Sequence, residues 1–376
     1  MKIAINTRLL LKDKLEGIGW FTYETLKRIV RDHPEHDFYF LFDRPFDPSF
    51  IFAANVHPVV VSPPTRHPIL QYWWFEHALP KILKSIQPDL FYSPDAYNSL
   101  KSPFKSLMVI HDLNFEHYPE FLPWVDRIYL QHFSPLFARK ANRILTVSQF
   151  SKNDIHQQYG IEPEKIDVVY NGVNELYSRI TESEKVAIRN KMSKGQAYFI
   201  FIGALNPRKN IVRLFQAFDL YKQSIANPVK LMIVGEKMYW NRAIRQAYEQ
   251  MKHQSDVIFT GYLAPEKLKD ITSAALALTY VPVFEGFGIP IIEAFHAETP
   301  VITSNVTSMP EVAGEAAILV DPFRVEAIAE AMKSITFDPE LRLRLVKAGR
   351  QQRQKFHWEQ TATLCWEAIE KTIATQ

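Results

Sequence analysis

The amino-acid sequence predicts an α/β protein of two domains, each built on a doubly wound parallel sheet. The chain has 376 residues, more than one hydrophobic core usually supports. Both halves open on a short apolar run that ends near a turn, "KIAIN" at 2–6 and "YFIFIG" at 198–203. Such runs are typical of strands buried on both faces of a parallel sheet. Helix-like segments separate most of the later runs, which is the βαβ pattern of doubly wound domains.

The elements follow in order along each half. In the first half the helical pattern "GWFTYETLKRIVRDH" comes next, and the further candidate strands are "DFYFLF", "HPVVV", "DLFYS", "SLMVIHD", "RILTVS" and "IDVVYNG". The second half has the helical pattern "NIVRLFQAFDLYKQS" and the candidate strands "KLMIVG", "VIFTGY", "ALALTY", "PVITS" and "AILVD". The polar stretch "NELYSRITESEKVAIRNKMSKGQ" separates the two series, so we expect domains at 1–178 and 179–357. The amphipathic terminal helix, 358–376, is expected to pack back on the first domain.

Composition and charge exclude several classes of protein. A formal charge of +3 is too weak to indicate a nucleic-acid partner, although it permits a weakly basic patch facing an anionic lipid or substrate. The single cysteine, Cys365, cannot form an internal disulfide or a cysteine metal cluster, and we expect it in the core. The amino terminus lacks the continuous apolar region of a signal peptide, and no stretch reaches the roughly eighteen apolar residues of a membrane span. We therefore expect a reduced, cytoplasmic protein.

Glycines concentrate at the expected strand ends. The chain has only 12 glycines, and those in loops of this kind are Gly17, Gly19, Gly172, Gly203, Gly235, Gly261, Gly286 and Gly288. In open parallel sheets, ligands bind beyond the carboxyl ends of the strands. This placement therefore favours backbone that approaches a ligand, although simple turns would explain part of the pattern.

Two common nucleotide-binding patterns do not fit. A dinucleotide-binding loop needs G-x-G-x-x-G directly after the first strand. "GIGWFT" has Gly17 and Gly19 but not the third glycine, and an intervening loop separates it from that strand. The phosphate-binding loop that ends in Gly-Lys-Ser/Thr is absent. The sequence therefore indicates neither a dinucleotide-dependent oxidoreductase nor a P-loop enzyme.

The stretch "GALNPRKN", residues 203–210, has the features of an anion site. It follows a buried strand and precedes a helix, with Arg208 and Lys209 near the helix amino terminus. The free amides at that end carry partial positive charge, so cations beside them cost stability unless something negative binds there. The alternative is a solvated, charged loop.

The stretch "EGFGIPIIEAF" supplies a second half of the site. Pro290 suits the first turn of a helix, and Gly286 with Gly288 forms a loop whose amides point along the helix axis. Glu285 lies at the strand end, while Glu293 lies about one turn into the helix. Paired carboxylates that flank an anion site suit a ligand with both hydroxyls and phosphate, such as a sugar nucleotide.

These residues carry a family resemblance. "FEGFGIPIIEAF" resembles the E-x7-E motif of the retaining glycosyltransferases of family four, with the GT-B fold of two Rossmann-like domains facing a central cleft. "GALNPRKN", "VIFTGYL", "TPVITSNVTSMPEVAG" and "AAILVDP" resemble the donor-domain motifs of that family in the expected order. "EGIGWFTYETL", "VIHDLNF", "TVSQFSKNDI" and "VYNGV" resemble its acceptor-domain motifs. The resemblance runs from Met1 to the final helix.

The resemblance implies roles in binding the donor. Glu285 would contact the hydroxyls of the donor sugar and Glu293 the ribose, while Arg208 and Lys209 would hold the diphosphate. The residues from Thr260 to Leu263 would border the base. Further contacts, many of them from backbone amides, would come from Gly17, Gly19, Tyr262, Gly286, Phe287, Gly288 and Ile289.

The resemblance also implies that His111 would face the sugar across the cleft. As a bare sequence feature, His111 and Asp112 at a strand end are equally consistent with a structural pair. Two positions depart from the family pattern. Ala204 stands where the family commonly has an arginine, a charge that Arg208 would have to replace, and Glu298 stands where the family often has a glycine.

The resemblance further implies transfer with retention and without a cofactor. The chain has no Asp-x-Asp pair for a divalent ion, so we expect no metal and a leaving diphosphate neutralised by Arg208, Lys209 and backbone amides. We favour same-face attack, in which the departing phosphate oxygen takes the proton of the acceptor, with His111 and Glu285 as the catalytic residues. GDP-mannose is the favoured donor and a UDP-sugar the other candidate, and a glycan or lipid-linked glycan is the acceptor. The alternatives are a sugar-nucleotide epimerase, a phosphorylase, or a catalytically silent binding homologue.

Two aromatic and basic segments of the first half raise the question of the acceptor. In "ILQYWWFEHALPKILK", Leu70, Trp73, Trp74 and His77 fall at helical spacings, which favours a core position for most of these aromatics. The other segment is "FEHYPEFLPWVDRIYLQHFSPLFARK". The rest of these side chains, with Trp20, Lys27, Arg28 and Arg31, are expected to form an apolar and cationic rim. Such a rim suits peripheral contact with the inner face of the cytoplasmic membrane.

Overall fold

The computed structural model describes residues 1–12, 14–174, 176–225, 228–236 and 240–375. The chain divides into two compact units, the first formed by Met1–Gly172 with His357–Gln376 and the second by Val173–Phe356. The division lies a few residues before the boundary expected after residue 178. The carboxyl-terminal segment from His357 belongs to the first unit.

The first unit contains one sheet of seven described strands in the order β3-β2-β1-β4-β5-β6-β7. Every described pairing in it is parallel. The strands are β1 (Lys2–Asn6), β2 (Asp37–Phe42), β3 (Val56–Val60), β4 (Leu90–Ser93), β5 (Ser106–Val109), β6 (Arg143–Thr146) and β7 (Ile166–Val168). The helices are α1 (Gly17–Asp32), α2 (Pro68–Trp73), α3 (Leu79–Ile86), α4 (Asn114–His117), α5 (Trp124–Lys140) and α6 (Gln149–Tyr159).

The second unit contains a sheet of six described strands in the order β10-β9-β8-β11-β12-β13, again with parallel pairings. The strands are β8 (Tyr198–Ile202), β9 (Lys230–Val234), β10 (Val257–Gly261), β11 (Ala277–Tyr280), β12 (Val301–Ser304) and β13 (Ala317–Val320). The helices are α7 (Glu182–Ser193), α8 (Ile211–Gln223), α9 (Arg242–Glu249), α10 (Pro265–Ser273), α11 (Ile289–His296), α12 (Met309–Ala313), α13 (Val325–Phe337) and α14 (Pro339–Gln352).

Burial along the strands follows from their place in each sheet. The central strands β4, β8, β11 and β12 are buried at every position, as expected for apolar runs covered on both faces. The edge strand β3 is buried only at its first residue and then alternates between half-buried and exposed positions; it also contains Pro58, which an edge tolerates. The prediction of two doubly wound parallel-sheet units is confirmed.

The last helix, α15 (Trp358–Ala374), packs within the first unit. Arg28 of α1 bonds Glu359 through Nε at 2.9 Å, and the ring of Trp366 stacks on His33 at 3.7 Å between centroids. Cys365 is fully buried, which confirms the prediction of a core cysteine.

The expected rim beside α1 is partly wrong. Arg28 is buried between Glu24 and Glu359, and Arg31 pairs with Asp32. These arginines therefore have carboxylate partners within the first unit. Lys27 is exposed, with Nζ 5.7 Å from the centre of the Tyr23 ring.

The segment after β3 also differs from its prediction. Simple helical spacing placed Leu70 and Trp73 with Trp74 on a buried face, but a π-helical turn, Trp74–Ala78, interrupts the helix between α2 and α3. Trp74 and Phe75, the first two residues of the π turn, are fully buried, while Leu70 and Trp73 of α2 before it are exposed. The expected core position is confirmed for Trp74 and wrong for Leu70, Trp73 and His77.

Candidate functional site

The main cluster of predicted site residues lies where the strand order of the second sheet reverses, between β8 and β11. This is the place where doubly wound sheets bind ligands, beyond the carboxyl ends of the strands. Arg208 and Lys209 lie in the loop after β8, in a single 3-10 turn, Pro207–Lys209, whose amino end is capped by the side chain of Asn206. Both cations thus lie immediately before α8.

Asn210 fixes this loop, a role that was not predicted from the sequence. It is buried and adopts the left-handed conformation, with φ of 62°, which asparagine tolerates better than most residues. Its Nδ2 donates to the carbonyl oxygens of Val281, at 3.0 Å, and Pro322, at 2.7 Å. The Asn210 side chain therefore connects the loop after β8 by hydrogen bonds to the loops after β11 and β13.

Arg208 and Lys209 converge on a single oxygen of Glu285. Arg208 Nη1 lies 2.6 Å from Glu285 Oε1, and Lys209 Nζ forms an ion pair with the same oxygen. Burial raises the pKa of the Glu285 carboxyl, but the charges of Arg208 and Lys209 outweigh it and hold the pKa below its usual value. The carboxylate is therefore ionised at neutral pH, and the three side chains together carry one net positive charge.

Tyr280, at the end of β11, belongs to the same cluster. Its hydroxyl accepts a hydrogen bond from Lys209 Nζ, which lies 5.0 Å from the centre of its ring. Tyr280 is fully buried. Its place in an apolar run predicted only a strand residue, and no local pattern indicated a polar role.

The loop from Glu285 to α11 is buried and tightly packed. Gly288 adopts a φ of 95°, and a Cβ there would lie 2.7 Å from Met309 Cε, so only glycine fits without strain. Ile289 is the first residue of α11 and Pro290 lies in its first turn, as predicted. The Phe287 side chain packs edge-on against Phe356, with ring centroids 5.5 Å apart. Phe287 can therefore offer a ligand only its backbone.

Glu293 lies one turn into α11 and is half-buried. Burial raises the pKa of its carboxyl to about 8, against a smaller opposing effect of the Tyr177 hydroxyl. Among the described residues, the Glu293 carboxyl faces the Tyr177 hydroxyl. Glu293 does not join the cluster of Arg208, Lys209 and Glu285.

The residues expected to border the base lie at the carboxyl end of the edge strand β10. Thr260 Oγ1 donates to the Gly261 carbonyl oxygen at 3.0 Å, while Tyr262 is exposed and Leu263 half-buried. Gly235, at the end of the neighbouring β9, leaves no room for a side chain, because a Cβ would lie 2.0 Å from the Gly203 carbonyl oxygen. The ends of β8, β9 and β10 thus form a continuous rim of backbone.

In the first unit, Gly17 and Gly19 do not form a loop. They lie in the first turn of α1, which begins at Gly17, so that expectation is corrected. In the described part of the chain, Glu16 makes no side-chain cap to this helix, and the first turn contains no acidic residue. The amides of Gly17 and Gly19 therefore lie at a helix amino terminus, where backbone donors lack intrahelical partners.

His111 follows β5 and has one fixed partner. Its Nε2 lies 2.9 Å from the Pro94 carbonyl oxygen, which can only accept, so Nε2 carries the proton. Burial lowers the pKa of His111, and the ring packs edge-on against Phe21 at 5.1 Å. The imidazole is therefore neutral at pH 7, with its lone pair on Nδ1. Asp112 has a different partner, Asn114, whose backbone amide lies 3.1 Å from Oδ1.

Two wider features bear on the chemistry. Within the described ranges, no group of three or more His, Cys, Asp or Glu side chains is arranged to hold a metal ion. In the same part of the chain, no helix is both long enough and apolar enough to cross a membrane.

Comparison with known proteins gives matches over both units. Residues 15–175 match Glycosyltransferase Family 4, and residues 182–352 match Glycosyl transferases group 1. The O-antigen chain mannosyltransferase B of Escherichia coli is 28% identical over 375 residues, covering 96% of this chain and 98% of that protein. The O-antigen chain mannosyltransferase RfbU of Salmonella typhimurium is 29% identical over 233 residues, 62% of this chain and 61% of the relative.

Solved structures share the fold. The sucrose-phosphate synthase of Thermosynechococcus elongatus superposes with a TM-score of 0.80 at 18% identity, covering 100% of both chains. WaaG, a glycosyltransferase involved in lipopolysaccharide biosynthesis, gives a TM-score of 0.78 at 16% identity over 98% of this chain and 99% of its own. The predicted GT-B fold class is confirmed. The two family matches, which together account for most of the chain, show that it belongs to the group 1 glycosyltransferases of family four and is a hexosyltransferase.

Proposed function

We propose that this glycosyltransferase moves a mannosyl group from a nucleoside-diphosphate sugar to a glycan during polysaccharide biosynthesis. GDP-mannose is the preferred donor in this proposal, ahead of a UDP-sugar, and the acceptor is a glycan or lipid-linked glycan. The observation that carries the proposal is the convergence of Arg208 and Lys209 on Glu285 between β8 and β11. The choice of mannose rests on the likeness to two O-antigen mannosyltransferases, one of them over nearly the whole chain.

The charge of the cluster suits a diphosphate. Two cations against one carboxylate leave a net positive charge at the carboxyl end of β8, immediately before the amino terminus of α8. Cations and helix amides at such a position favour an anion. During transfer the leaving diphosphate gains negative charge, so these groups would stabilise the transition state more than the bound donor. We therefore propose transfer without a metal ion or other cofactor.

The pairing of Glu285 favours same-face attack with retention. A double-displacement route needs a carboxylate that is free to attack the sugar. Glu285 carries two cations on one oxygen, which lowers its pKa and weakens it as a nucleophile. In the proposed step the bond from the sugar carbon to phosphate breaks while the bond to the acceptor oxygen forms on the same face. The acceptor proton moves to the departing phosphate oxygen.

Two further side chains, His111 and Glu293, have proposed roles toward the donor. The neutral His111 can accept a hydrogen bond from a sugar hydroxyl through Nδ1, since Nε2 is engaged by Pro94. Glu293 is proposed to bind the ribose, and the residues around Thr260 to border the base. The backbone from Gly286 to Ile289 is proposed to face the diphosphate.

A donor panel tests the proposal. The purified enzyme is incubated with GDP-mannose, UDP-glucose or UDP-galactose and a mannose-terminated oligosaccharide, and release of GDP or UDP is followed with and without a chelator. We expect GDP release that depends on the acceptor, is unaffected by the chelator, and gives a product of the donor's anomeric configuration by NMR. Release from UDP-sugars alone would overturn the choice of donor, and loss of activity with the chelator would overturn the metal-free mechanism.

The same assay separates the other candidates. Epimerised donor formed without an acceptor would identify an epimerase, and sugar phosphate formed from the oligosaccharide and added inorganic phosphate would identify a phosphorylase. If calorimetry detected no binding of GDP or UDP, the protein would be a catalytically silent homologue with a binding role in place of transfer.

A further inference from the structure

A buried ion pair lies near the carboxyl ends of β1 and β4 in the first unit. Arg8 Nε and Nη2 each lie 2.9 Å from Asp95 Oδ2, and the two side chains are only 5% and 4% exposed. Neither side chain is exposed enough to contact a substrate directly. The Arg8 guanidinium also lies over the Tyr97 ring, with Cζ 4.3 Å from its centre. Because desolvation offsets most of the attraction within a buried ion pair, such a pair is poor evidence of a purely stabilising role.

The other carboxylate oxygen of Asp95 is hydrogen-bonded as well. Oδ1 accepts from Asn6 Nδ2 at 3.0 Å, from Ser93 Oγ at 3.1 Å and from the Tyr97 amide at 3.2 Å. Asn6 and Ser93 are the last residues of β1 and β4, and Asn6 Nδ2 also donates to Ser93 Oγ at 3.0 Å. Asp95 is thus held from two neighbouring strands as well as by Arg8.

Pro94 lies between two residues of this network. Ser93 before it and Asp95 after it are each fixed by the hydrogen bonds described above. The ring of Pro94 fixes its own φ, and the residue is buried. The Pro94 carbonyl oxygen therefore has little freedom to turn. This is the oxygen that accepts the hydrogen bond from His111 Nε2 at 2.9 Å.

The backbone around His111 is fixed by contacts with its other neighbours. Ser151 Oγ donates to the His111 carbonyl oxygen at 3.3 Å, and Thr146 Oγ1 donates to the Ile110 carbonyl oxygen at 2.7 Å. In the described part of the chain, the hydrogen bond that engages an imidazole nitrogen is the one to Pro94. A hydrogen bond at one ring nitrogen sets the protonation of the other, so the position of the Pro94 carbonyl decides the tautomer.

We propose that Asp95 is a positioning residue for His111. Held by Arg8 and Asn6, Asp95 fixes the Pro94 carbonyl oxygen, which keeps the imidazole proton on Nε2 and the lone pair on Nδ1. The inference rests on the proposed function only for what Nδ1 does, which is to accept a hydrogen bond from a hydroxyl of the donor sugar. The tautomer itself is a property of the enzyme without substrate.

The test is the protonation of the His111 ring in the full-length enzyme at neutral pH. The enzyme is prepared with isotope-labelled histidine, and NMR shifts of the two ring nitrogens distinguish the tautomers. The chain has 12 histidines, so His111→Gln is used to assign the signal.

Two variants disrupt the network. Asp95→Asn sets an amide donor against the Arg8 guanidinium, which leaves a buried charge unpaired and can prevent folding. Arg8→Met with Asp95→Ala removes both charges and should fold. The matched control is Asp256→Asn, which breaks a largely buried ion pair of the second unit, that of Asp256 with Lys222 at 2.8 Å. Urea unfolding measures the stability lost by each variant.

We expect His111 to be protonated on Nε2 in the wild type and in Asp256→Asn. In the Asp95 variants a measurable fraction should be protonated on Nδ1, and kcat should fall about threefold to tenfold with the KM for the donor unchanged. An imidazole that stays on Nε2 in the Asp95 variants, or an equal shift in Asp256→Asn, would overturn the proposal. A shifted tautomer with unchanged kcat would support the positioning role and refute the proposed role of His111 toward the sugar, so the two failures are distinguishable.

Discussion

Lys209 and Tyr280 interact in two ways in the second unit. The Tyr280 hydroxyl accepts a hydrogen bond from Lys209 Nζ, and the same Nζ lies 5.0 Å from the centre of the Tyr280 ring. Lys209 also pairs with Glu285. Tyr280, a residue of β11, therefore holds the Lys209 ammonium in position within the charged cluster. If Lys209 holds the diphosphate as proposed, Tyr280 is a positioning residue that acts on the donor through Lys209.

Removal of the Tyr280 hydroxyl should impair turnover more than folding. We expect Tyr280→Phe to lower kcat/KM for the donor about tenfold, because an ammonium that has lost one of its partners holds the diphosphate less well. The control is Tyr221→Phe, which removes a hydroxyl from another fully buried tyrosine, bonded to Thr336 at 2.9 Å. Both variants should lose a similar free energy of unfolding, but only Tyr280→Phe should lose activity. If the two variants had equal kinetics, Tyr280 would be a residue of the core with no effect on the donor.

Lys209→Ala should weaken donor binding while the fold persists. Glu285 keeps Arg208 as a partner in this variant, so no buried carboxylate is left unpaired. Loss of a charged contact to phosphate costs about 1.5–3 kcal/mol, which corresponds to roughly a tenfold to hundredfold rise in the KM for the donor. Steady-state kinetics against an exposed control, Lys347→Ala, would measure the effect. An unchanged KM would contradict the assignment of Lys209 to the diphosphate.

The sequence predicted those parts of the fold and site that depend on local pattern. Apolar runs without alternation predicted central parallel strands, and Gly288 with Pro290 predicted a tight loop opening a helix, which the structure confirms. The pairing of Glu285 with the cations after β8 was not predicted, because strand order sets it and no local pattern reports strand order.

The remaining errors have two causes, a long-range contact and a local irregularity of a helix. Arg28 was expected to be available at the surface, but its partner Glu359 lies 331 residues away in the chain. Trp73 was expected in the core, but it is the last residue of α2, and the buried side chains are Trp74 and Phe75 at the start of the π-helical turn. Spacing counted at a constant helical period does not detect such a turn.

Glu285→Gln should abolish most transfer without loss of nucleotide affinity. The substitution keeps the shape of the side chain but leaves Arg208 and Lys209 without their carboxylate, so the site becomes more positive. We expect kcat to fall about a hundredfold, as for loss of a group that acts in the transition state, and GDP to bind equally well or more tightly. Isothermal titration with GDP and kinetics with the donor measure the two effects. Glu266→Gln, an exposed carboxylate on α10, is the control, and weaker GDP binding by Glu285→Gln would refute the role.

His111→Ala should also act on turnover. The imidazole is neutral, with Nδ1 as its only acceptor, so it offers a sugar hydroxyl one hydrogen bond and no charge. We expect a fall in kcat of about tenfold, the value of one hydrogen bond, with GDP affinity unchanged. Kinetics and GDP titration of this variant beside the exposed control His132→Ala would decide the point. A variant that kept its kcat and lost GDP affinity would place His111 at the nucleotide.

The raised pKa of Glu293 predicts a specific dependence of stability on pH. Burial holds this carboxyl's pKa at about 8 in the folded protein, against an ordinary value of 4.5. Between these values the folded state keeps a proton that the unfolded state releases, so the contribution of Glu293 to stability is fully present below the lower value. This contribution declines as pH rises toward the pKa of the folded state, by at most about 1.4 kcal/mol per pH unit.

Glu293→Gln keeps the neutral side chain at every pH and should abolish this decline. Urea unfolding at several pH values should therefore show Glu293→Gln gaining stability over the wild type as pH rises, whereas the exposed control Glu249→Gln should stay parallel to the wild type. Parallel behaviour of Glu293→Gln as well would show that the carboxyl is ionised at neutral pH in the folded protein.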